Sequence, residues 1–270
     1  MTDAAGAIIT SARLPLSAVV IAKNEADRIG RCLSSLTAVC DEVLVLDSGS
    51  SDRTIAIALA AGARVENQEW LGFAAQKNAA ISLARNEWVL LLDADEWLGE
   101  GASSLLAELF ASGRAEQADV WCLERRTHYL GKALRFGGWG REAVERLFRK
   151  QFRYKPVSVH ESLDLAGARI AVCPVRIEHD TARTETEYRH KLSGYARLFA
   201  QQRHAQGKRA SLVSPATHAF FYLFKNGLLR GGFLDGPKGW RYHLAHTCYV
   251  WQKYRILRSL AHDATPSGMP

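Results

Sequence analysis

The sequence predicts an α/β fold in which a mixed, mainly parallel sheet is followed by amphipathic helices. Three observations predict it. Short uninterrupted apolar runs alternate with helical patterns through the first half of the chain, which is typical of parallel strands covered by helices on both faces. Near residue 118 the pattern changes to strands separated by glycine-rich or polar turns. From Thr184 onward the spacing of apolar residues is helical.

The first half contains four strand patterns and four helix patterns in alternation. The strands, each a short apolar run, are expected at Leu16–Ala22, Glu42–Leu46, Ala63–Glu66 and Glu87–Leu92. The helices that follow them are expected at Glu25–Leu36, Thr54–Ala61, Phe73–Ala84 and Gly101–Phe110. Asp52 can cap the second helix and Gly62 can end it.

The second half contains three strand patterns and three helical stripes. The strands are expected at Asp119–Arg126, Glu145–Phe152 and Arg169–His179. The first stripe is Tyr188, Leu192, Tyr195 and Leu198/Phe199; the second is Ala216, Phe220, Leu223/Phe224 and Leu228; the third is Trp240, Leu244, Cys248, Trp251 and Tyr254. Each stripe predicts the buried face of an amphipathic helix.

Composition narrows the class of protein. The 270 residues are 47% hydrophobic and 23% charged, which excludes wholesale disorder and a coiled coil. The longest nearly uncharged apolar run, Leu212–Phe224, is shorter than the roughly 18–20 residues that a membrane span needs. Five scattered cysteines without a C-x-x-C pair argue against a disulfide framework or a zinc site, and favour a reducing compartment. We expect no signal peptide.

The formal net charge of +7 is unevenly distributed. Residues 183–270 carry +10 and the preceding 182 residues carry −3. A basic tail on a slightly acidic body is typical of a segment that meets an anionic surface, although a solvated helix face has the same composition. The basic, aromatic tail also leaves a nucleic-acid-binding protein as a competing class, but no nucleic-acid motif occurs and we expect no nucleic-acid partner.

Polar clusters follow three of the predicted strands, where α/β proteins bind their ligands. They are 23–25, 47–52 and 93–96. Asp93 and Asp95 are one residue apart, a spacing that can hold a divalent cation with positions left open for phosphate oxygens; a turn with side-chain hydrogen bonds is the alternative. Lys77 could neutralise a phosphate or be a solvated helix residue. No G-x-G-x-x-G or P-loop motif occurs.

In this order, A-K-N-E (22–25), L-D-S-G-S-S-D-R-T (46–54), K-N (77–78) and L-L-D-A-D-E (91–96) resemble the family 2 inverting glycosyltransferases over about residues 16–180. The resemblance implies the GT-A fold, a nucleotide-diphosphate sugar donor, expected to be a UDP-hexose, and a divalent cation, Mg²⁺ or Mn²⁺. Many members have a second Asp where this chain has Ser48, which leaves the base contacts open.

The same resemblance implies roles for individual residues. Asn24, Glu25 and Asp47 would contact the nucleoside, and Lys77 would lie near it. Asp93 would face the ribose or the sugar, and Asp95 would hold the metal.

A single inverting displacement needs a general base, and our candidate is Glu161 in the V-H-E element at 159–161. An exposed strand residue is the alternative. His179 is a candidate ligand of the metal or the diphosphate, or a structural histidine. Arg146 and Arg149 are expected to share one strand face and to bind the diphosphate or an anionic acceptor, with solvated arginines as the alternative.

The C-terminal run G-G-F-L-D-G (231–236), with the basic aromatic helix after it, resembles transferases that build the lipopolysaccharide inner core. That resemblance implies transfer of a hexose, with glucose favoured, to a membrane-anchored core acceptor. The enzyme would lie in the cytoplasm, peripheral on the inner face of the cytoplasmic membrane. An exopolysaccharide lipid carrier or a protein side chain are alternative acceptors.

These patterns divide the chain into four segments. We expect a flexible N-terminal segment at 1–15, the GT-A domain at 16–182, a basic helical region associated with membrane or acceptor at 183–262, and a tail at 263–270.

Overall fold

The computed structural model of the chain describes residues 13–155 and 162–263. Its strands are β1 (Leu14–Ala22), β2 (Cys40–Asp47), β3 (Arg64–Asn67), β4 (Trp88–Asp93), β5 (Glu96–Leu98), β6 (Val120–Tyr129), β7 (Lys132–Ala133), β8 (Glu142–Arg149) and β9 (Ile170–Ala182). Its helices are α1 (Ile29–Thr37), α2 (Thr54–Ala60), α3 (Phe73–Leu83), α4 (Ala102–Ala111), α5 (Glu185–Ala205), α6 (Ser214–Tyr222) and α7 (Gly236–Asp263). A π-helical turn, Leu223–Leu229, follows α6.

The described strands form one mixed sheet in the order β3-β2-β1-β4-β8-β6-β9-β5, with β7 added beside β6. The four strands β3, β2, β1 and β4 pair in parallel, as the alternation of strands and helices predicts. Strand β8 then runs antiparallel to both β4 and β6, and β9 is parallel to β6. The expected mixed sheet of a GT-A fold is confirmed.

The sheet is covered on both faces, and the two-residue period of a strand decides which side chain belongs to which face. In β1, Val20 joins a buried cluster with Leu33 of α1 and Leu106 of α4. The preceding residue, Val19, joins a second cluster on the other face with Ile81 of α3. Central strands therefore read as uninterrupted apolar runs because both of their faces are buried.

The C-terminal helices pack against the sheet domain through aromatic rings. Tyr129 at the end of β6, Tyr188 of α5 and Tyr242 of α7 are buried together, and the last two are stacked with their centroids 5.4 Å apart. Trp139 contacts Tyr242 and His246, with ring centroids 5.8 and 5.1 Å away. Trp139 thus packs the loop that precedes β8 against α7.

The helical character of the region after residue 183 is as predicted, but the predicted buried stripes are not: on α5 the stripe is buried at Tyr188 and Leu192 and exposed at Tyr195 and Leu198, and on α6 and α7 it is wrong. On α7 the buried residues include Tyr242, Ala245 and His246, while Trp240, Leu244 and Trp251 of the predicted stripe are exposed. On α6 and the following turn, the predicted stripe is exposed at Phe220 and Phe224. A helical period identifies an apolar face, but only tertiary packing decides whether that face is covered.

Two boundaries of the predicted segments can be compared with the structure. Strand β1 starts at Leu14, inside the predicted N-terminal segment, and β9 ends at Ala182, the predicted end of the sheet domain. Residues 1–12 and 264–270 lie outside the described residues. No helix in the described part of the chain is long and apolar enough to cross a bilayer.

The buried imidazole of His246 should make stability depend on pH. Its Nδ1 lies 2.7 Å from the Tyr188 hydroxyl. Burial, with the nearby charges of His243 and Lys253, lowers the pKa of His246 from 6.5 to about 3. As the pH falls, the unfolded chain takes up this proton first. The contribution of His246 to the free energy of unfolding is therefore complete above about pH 6.5. It is lost between pH 6.5 and 3, by on the order of 1 kcal/mol per pH unit.

We therefore expect His246→Phe, which keeps an aromatic ring in place, to flatten the decline of the unfolding free energy between pH 6.5 and 4. Urea unfolding at a series of pH values measures this. His190→Phe, on the exposed surface of α5, is the control and should keep the wild-type slope. Equal slopes for both variants would show that His246 does not titrate as described.

Candidate active site

The three polar clusters predicted after β1, β2 and β4 meet at one edge of the sheet. Ala22 at the end of β1 pairs with Asp47 of β2, and Ile21 pairs with Asp93 of β4. Three parallel strands therefore end at the same level, with their polar residues side by side. The structure thus places the three clusters at one edge of the sheet, and the roles of their residues stay predictions.

Asn24 and Asp47 shape the loops at this edge. Asn24 has a φ of +56°, a conformation that asparagine tolerates better than most residues, and its Oδ1 accepts a hydrogen bond of 2.8 Å from the Ser51 amide. The carboxylate of Asp47 is fully buried and accepts hydrogen bonds of 2.8 Å from the amides of both Gly49 and Ser50. The nucleoside contacts expected of these two residues stay predictions; the bonds shown hold the two loops together.

Asp93 is held between two cations. Lys77 Nζ lies 3.2 Å from its Oδ1, and Arg146 Nη2 lies 2.8 Å from its Oδ2. Burial alone would raise the pKa of Asp93, but the charges of Lys77 and Arg146 lower it well below the usual range. Lys77 is buried, so it is not the solvated helix lysine that the sequence left open. The carboxylate is thus fixed and ionised at the sheet edge.

Glu96 contacts this group, and the sequence predicts no role for it. It is 0% exposed. Its Oε1 lies 2.7 Å from Arg146 Nη2 and 3.4 Å from Arg125 Nη1, while its Oε2 accepts a hydrogen bond from the Asp93 amide. Arg146 therefore pairs with two carboxylates of the same turn, Asp93 and Glu96. These ion pairs offset the cost of burying the charge of Glu96. The last position of L-L-D-A-D-E was the available signal, but only the pairing of β8 with β4 shows its partner.

Asp95 and His179 face each other across β5 and β9. Glu96 pairs with His179 in the ladder, and Asp95 Oδ2 lies 3.4 Å from His179 Nε2. Burial would raise the pKa of Asp95, but the His179 imidazole and the charge of Lys191, 3.7 Å away, lower it to about 2. Lys191, on α5, was not among the predicted site residues, because a helical lysine carries no signal of the side chain it will reach.

Glu25 belongs to the same neighbourhood. Burial and the negative charge of Asp95 raise the pKa of Glu25, against the lowering effect of Arg28 and Lys191. Its backbone amide donates to Thr54 Oγ1 at 2.8 Å, which ties the loop after β1 to the start of α2.

The chemistry of Asp95 and His179 fits a divalent cation. One carboxylate oxygen and one imidazole nitrogen, 3.4 Å apart, are donors that such a cation accepts. The Nδ1 atom of His179 is buried and has no hydrogen-bond partner among residues 13–155 and 162–261. Within that part of the chain no group of three or more His, Cys, Asp or Glu side chains is placed to hold a metal ion.

The predicted common face of Arg146 and Arg149 is wrong. Three residues apart on a strand, they point to opposite faces of the sheet. Arg149 lies over the Trp88 ring, 4.3 Å from its centroid, and pairs with Glu116, away from the carboxylates at the sheet edge. Glu161, the predicted general base, lies outside the described residues.

Comparison with known proteins identifies the class that this fold and site define. The family model for glycosyl transferase family 2 matches residues 17–173, which run from within β1 to the first residues of β9. The chain therefore belongs to glycosyl transferase family 2. It is a glycosyltransferase, with the mixed, mainly parallel sheet and flanking helices of a GT-A-like fold.

Particular relatives extend over nearly the whole chain. The chain is 30% identical to the lipopolysaccharide core biosynthesis glycosyltransferase LpsC of Rhizobium meliloti over 263 residues, 90% of this chain and 94% of LpsC. It is also 30% identical to an uncharacterized glycosyltransferase of Rickettsia conorii, with 83% of each chain covered.

Among solved structures, TarS 1-349 of S. aureus is matched at 14% identity with a TM-score of 0.45, covering 95% of this chain and 94% of that one. Glucosyl-3-phosphoglycerate synthase of Mycobacterium tuberculosis, in complex with Mn²⁺ and UDP, is matched at 25% identity with a TM-score of 0.33, covering 42% and 43%.

Proposed function

We propose that this glycosyltransferase is a metal-dependent, inverting enzyme. It moves a hexose, with glucose as the first candidate, from a UDP-sugar to a lipopolysaccharide core acceptor at the cytoplasmic face of the membrane. The observation that carries the proposal is the Asp95–His179 pair beside the fixed carboxylate of Asp93. Similarity to LpsC over 90% of the chain supports the choice of acceptor.

The residues of the site have different roles in the proposed reaction. Asp95 and His179 would hold the divalent cation, which offsets the negative charge that develops on the departing diphosphate. Asp93, kept ionised by Lys77 and Arg146, can accept hydrogen bonds from ribose or sugar hydroxyls. In the displacement, an acceptor oxygen bonds to the anomeric carbon as the bond to the diphosphate breaks. The proton of that hydroxyl passes to a carboxylate, for which Glu161 is our candidate.

Mass analysis of lipopolysaccharide from cells lacking the protein tests the proposal. We expect a core shortened by one hexose, restored by the wild-type gene. An unchanged core together with a lost exopolysaccharide or a lost protein glycan would reject the core acceptor in favour of the corresponding alternative. Release of UDP from a panel of UDP-hexoses by the purified enzyme, with Mg²⁺ or Mn²⁺, identifies the donor independently.

Glu161→Gln should abolish transfer and leave donor binding unchanged, because the amide keeps the shape of the side chain but cannot take a proton. UDP affinity, measured by calorimetry in the presence of Mn²⁺, and the rate of transfer separate the two effects. Glu145→Gln, on β8, is a control of the same chemistry. Transfer by Glu161→Gln at the wild-type rate would reject Glu161 as the base.

The membrane part of the proposal has support in the exposed side chains of the C-terminal region. Phe220 and Phe221 on α6 are 71% and 60% exposed, and Phe233 is about half exposed. Basic residues follow each of them in the sequence, including Lys225 and Arg230. Exposed aromatic rings beside cations are typical of surfaces that bind an anionic bilayer.

We expect the double variant Phe220→Ser/Phe221→Ser to reduce partitioning onto vesicles containing phosphatidylglycerol by at least about tenfold, because each ring contributes about 1.5–3 kcal/mol when it leaves water. Sedimentation with vesicles measures the effect. Leu59→Ser on α2, also largely exposed, is the control and should bind normally. Equal partitioning of all three proteins would exclude this surface as the membrane contact.

A further inference from the structure

An arginine-lined cavity of about 650 Å³ has no part in the chemistry described above. Among the described residues, its wall contains five arginines and one glutamate: Arg126, Arg135, Arg141, Arg176, Arg230 and Glu124. We call it the arginine pocket. We propose that it binds an oxyanion, a phosphate or a carboxylate, carried by the acceptor sugar. This inference rests on the proposed function.

The position of the arginine pocket follows from the direction of the strands. Strand β8 runs antiparallel to β4, with Leu147 opposite Leu90, so β8 begins at the edge where β4 ends with Asp93. The loop at 134–141, which enters β8, therefore lies at the edge that carries the donor residues. Strands β6 and β9 run antiparallel to β8 and parallel to each other, so they also end there.

Two ion pairs connect the arginine pocket to the donor residues through adjacent backbone. Arg126 of the pocket pairs with Glu178, the residue before His179. Arg125, the residue before Arg126, pairs with Glu96, the residue after Asp95. Neighbouring residues on a strand point to opposite faces, so the pocket and these donor residues lie on opposite sides of β6 and β9. An acceptor sugar with its anionic group in the pocket would reach the donor site at the edge where these strands end.

The charge of the arginine pocket is only partly compensated. Glu124 lies 3.2 Å from Arg176 and 3.6 Å from Arg141, and Glu178 pairs with Arg126. Five guanidinium groups thus face two carboxylates in this group of residues. Guanidinium groups bind phosphate and carboxylate through paired, charge-assisted hydrogen bonds. The exposed ring of Phe136 adds an apolar wall on which a sugar can pack.

The C-terminal G-F-L-D-G run, which the donor chemistry does not use, holds the pocket loop in place. The buried carboxylate of Asp235 accepts hydrogen bonds of about 3.0 Å from the amides of Arg135 and Phe136. The Gly137 amide donates to Arg230 O at 2.9 Å. A Cβ on Gly232 would lie 2.2 Å from His243 Nε2, so the close approach of these segments requires glycine there. The segment that resembles lipopolysaccharide transferases thus positions two of the five arginines.

The test compares three sugars of one shape in NMR titrations of ¹⁵N-labelled protein: glucose 6-phosphate, glucuronate and glucose. Each is titrated with and without saturating UDP and Mn²⁺, so that the donor site is blocked in one series. We expect saturable binding of an anionic sugar in both series and none of glucose. Binding of glucose 6-phosphate alone identifies phosphate as the group, and binding of glucuronate alone identifies carboxylate.

The variant Arg135→Ala/Arg141→Ala should weaken that binding by at least about tenfold, since two charge-assisted hydrogen bonds are lost. Arg135→Lys/Arg141→Lys should recover part of it. Arg197→Ala/Arg209→Ala removes the same charge from exposed positions outside the pocket and should bind normally. UDP affinity should be the same in all of these proteins.

Three results would overturn the inference: no saturable binding of either anionic sugar, equal weakening in the pocket and control variants, or a loss of UDP affinity in the pocket variant. The last result would assign the arginines to the donor diphosphate. Failure of the proposed function is seen separately, as wild-type protein that does not bind UDP or does not transfer sugar. The titrations without UDP depend neither on UDP binding nor on sugar transfer.

Discussion

Asp95→Asn is expected to lower the rate of sugar transfer by about 10³-fold or more, the scale on which loss of a charge-stabilising group affects a transition state. The amide has nearly the shape of the carboxylate but carries no charge. Because the pKa of Asp95 is about 2, the wild-type side chain is ionised throughout the working range of pH, and the variant removes that charge at every pH. Release of UDP from the donor identified by the panel measures the effect.

A role in metal binding predicts a second result for this variant. The Mn²⁺ concentration needed for half-maximal UDP binding should rise, because one of two candidate ligands is neutralised. Asp119→Asn is the control: its carboxylate pairs with Arg169 on the exposed surface, so turnover and Mn²⁺ dependence should stay at wild-type values. Turnover by Asp95→Asn within about threefold of wild type, at unchanged Mn²⁺ dependence, would reject the metal assignment.

All of the described strands except β5 and β7 could be predicted from the sequence, because each is an apolar run or an alternation long enough to be recognised. Strands β1, β2 and β4 are uninterrupted apolar runs, and their observed bounds differ from the predicted ones by one or two residues, at one end in β1 and at both ends in β2 and β4. Strand β5 has three residues and β7 has two, too few for any period to appear. Strand β5 exists because it pairs with β9, which is distant in the sequence, and β7 exists because it pairs with β6 across a turn. Such pairing leaves no local pattern.

The site shows the same division between local and distant information. Asp93 and Asp95 could be placed at the sheet edge because parallel strands end together. The partners that keep Asp93 ionised could not be predicted, because Lys77 lies on a helix and Arg146 lies on an antiparallel strand. Strand parity would have separated Arg146 from Arg149 without a structure, because an odd spacing places two residues on opposite faces.

Loss of Arg146 should lower the free energy of unfolding by several kcal/mol. Its guanidinium is buried and lies within 2.8 Å of carboxylate oxygens of both Asp93 and Glu96. Arg146→Met keeps the length and most of the volume but removes the charge. Glu96, which is fully buried, would then keep Arg125 as its nearest cation, at 3.4 Å. Removing one partner from a buried ion pair costs about 3–5 kcal/mol, and we expect a loss in that range.

Urea unfolding at pH 7.5 measures this loss, and two further variants identify its cause. Arg149→Met, three residues along the same strand, removes an ion pair with Glu116 and a contact with Trp88 on the opposite face, and should cost about 1–2 kcal/mol. Arg146→Met/Glu96→Gln removes one positive and one negative charge together and should recover part of the loss. If the double variant is no more stable than Arg146→Met, the loss comes from packing, and charge compensation at Glu96 does not hold the site together.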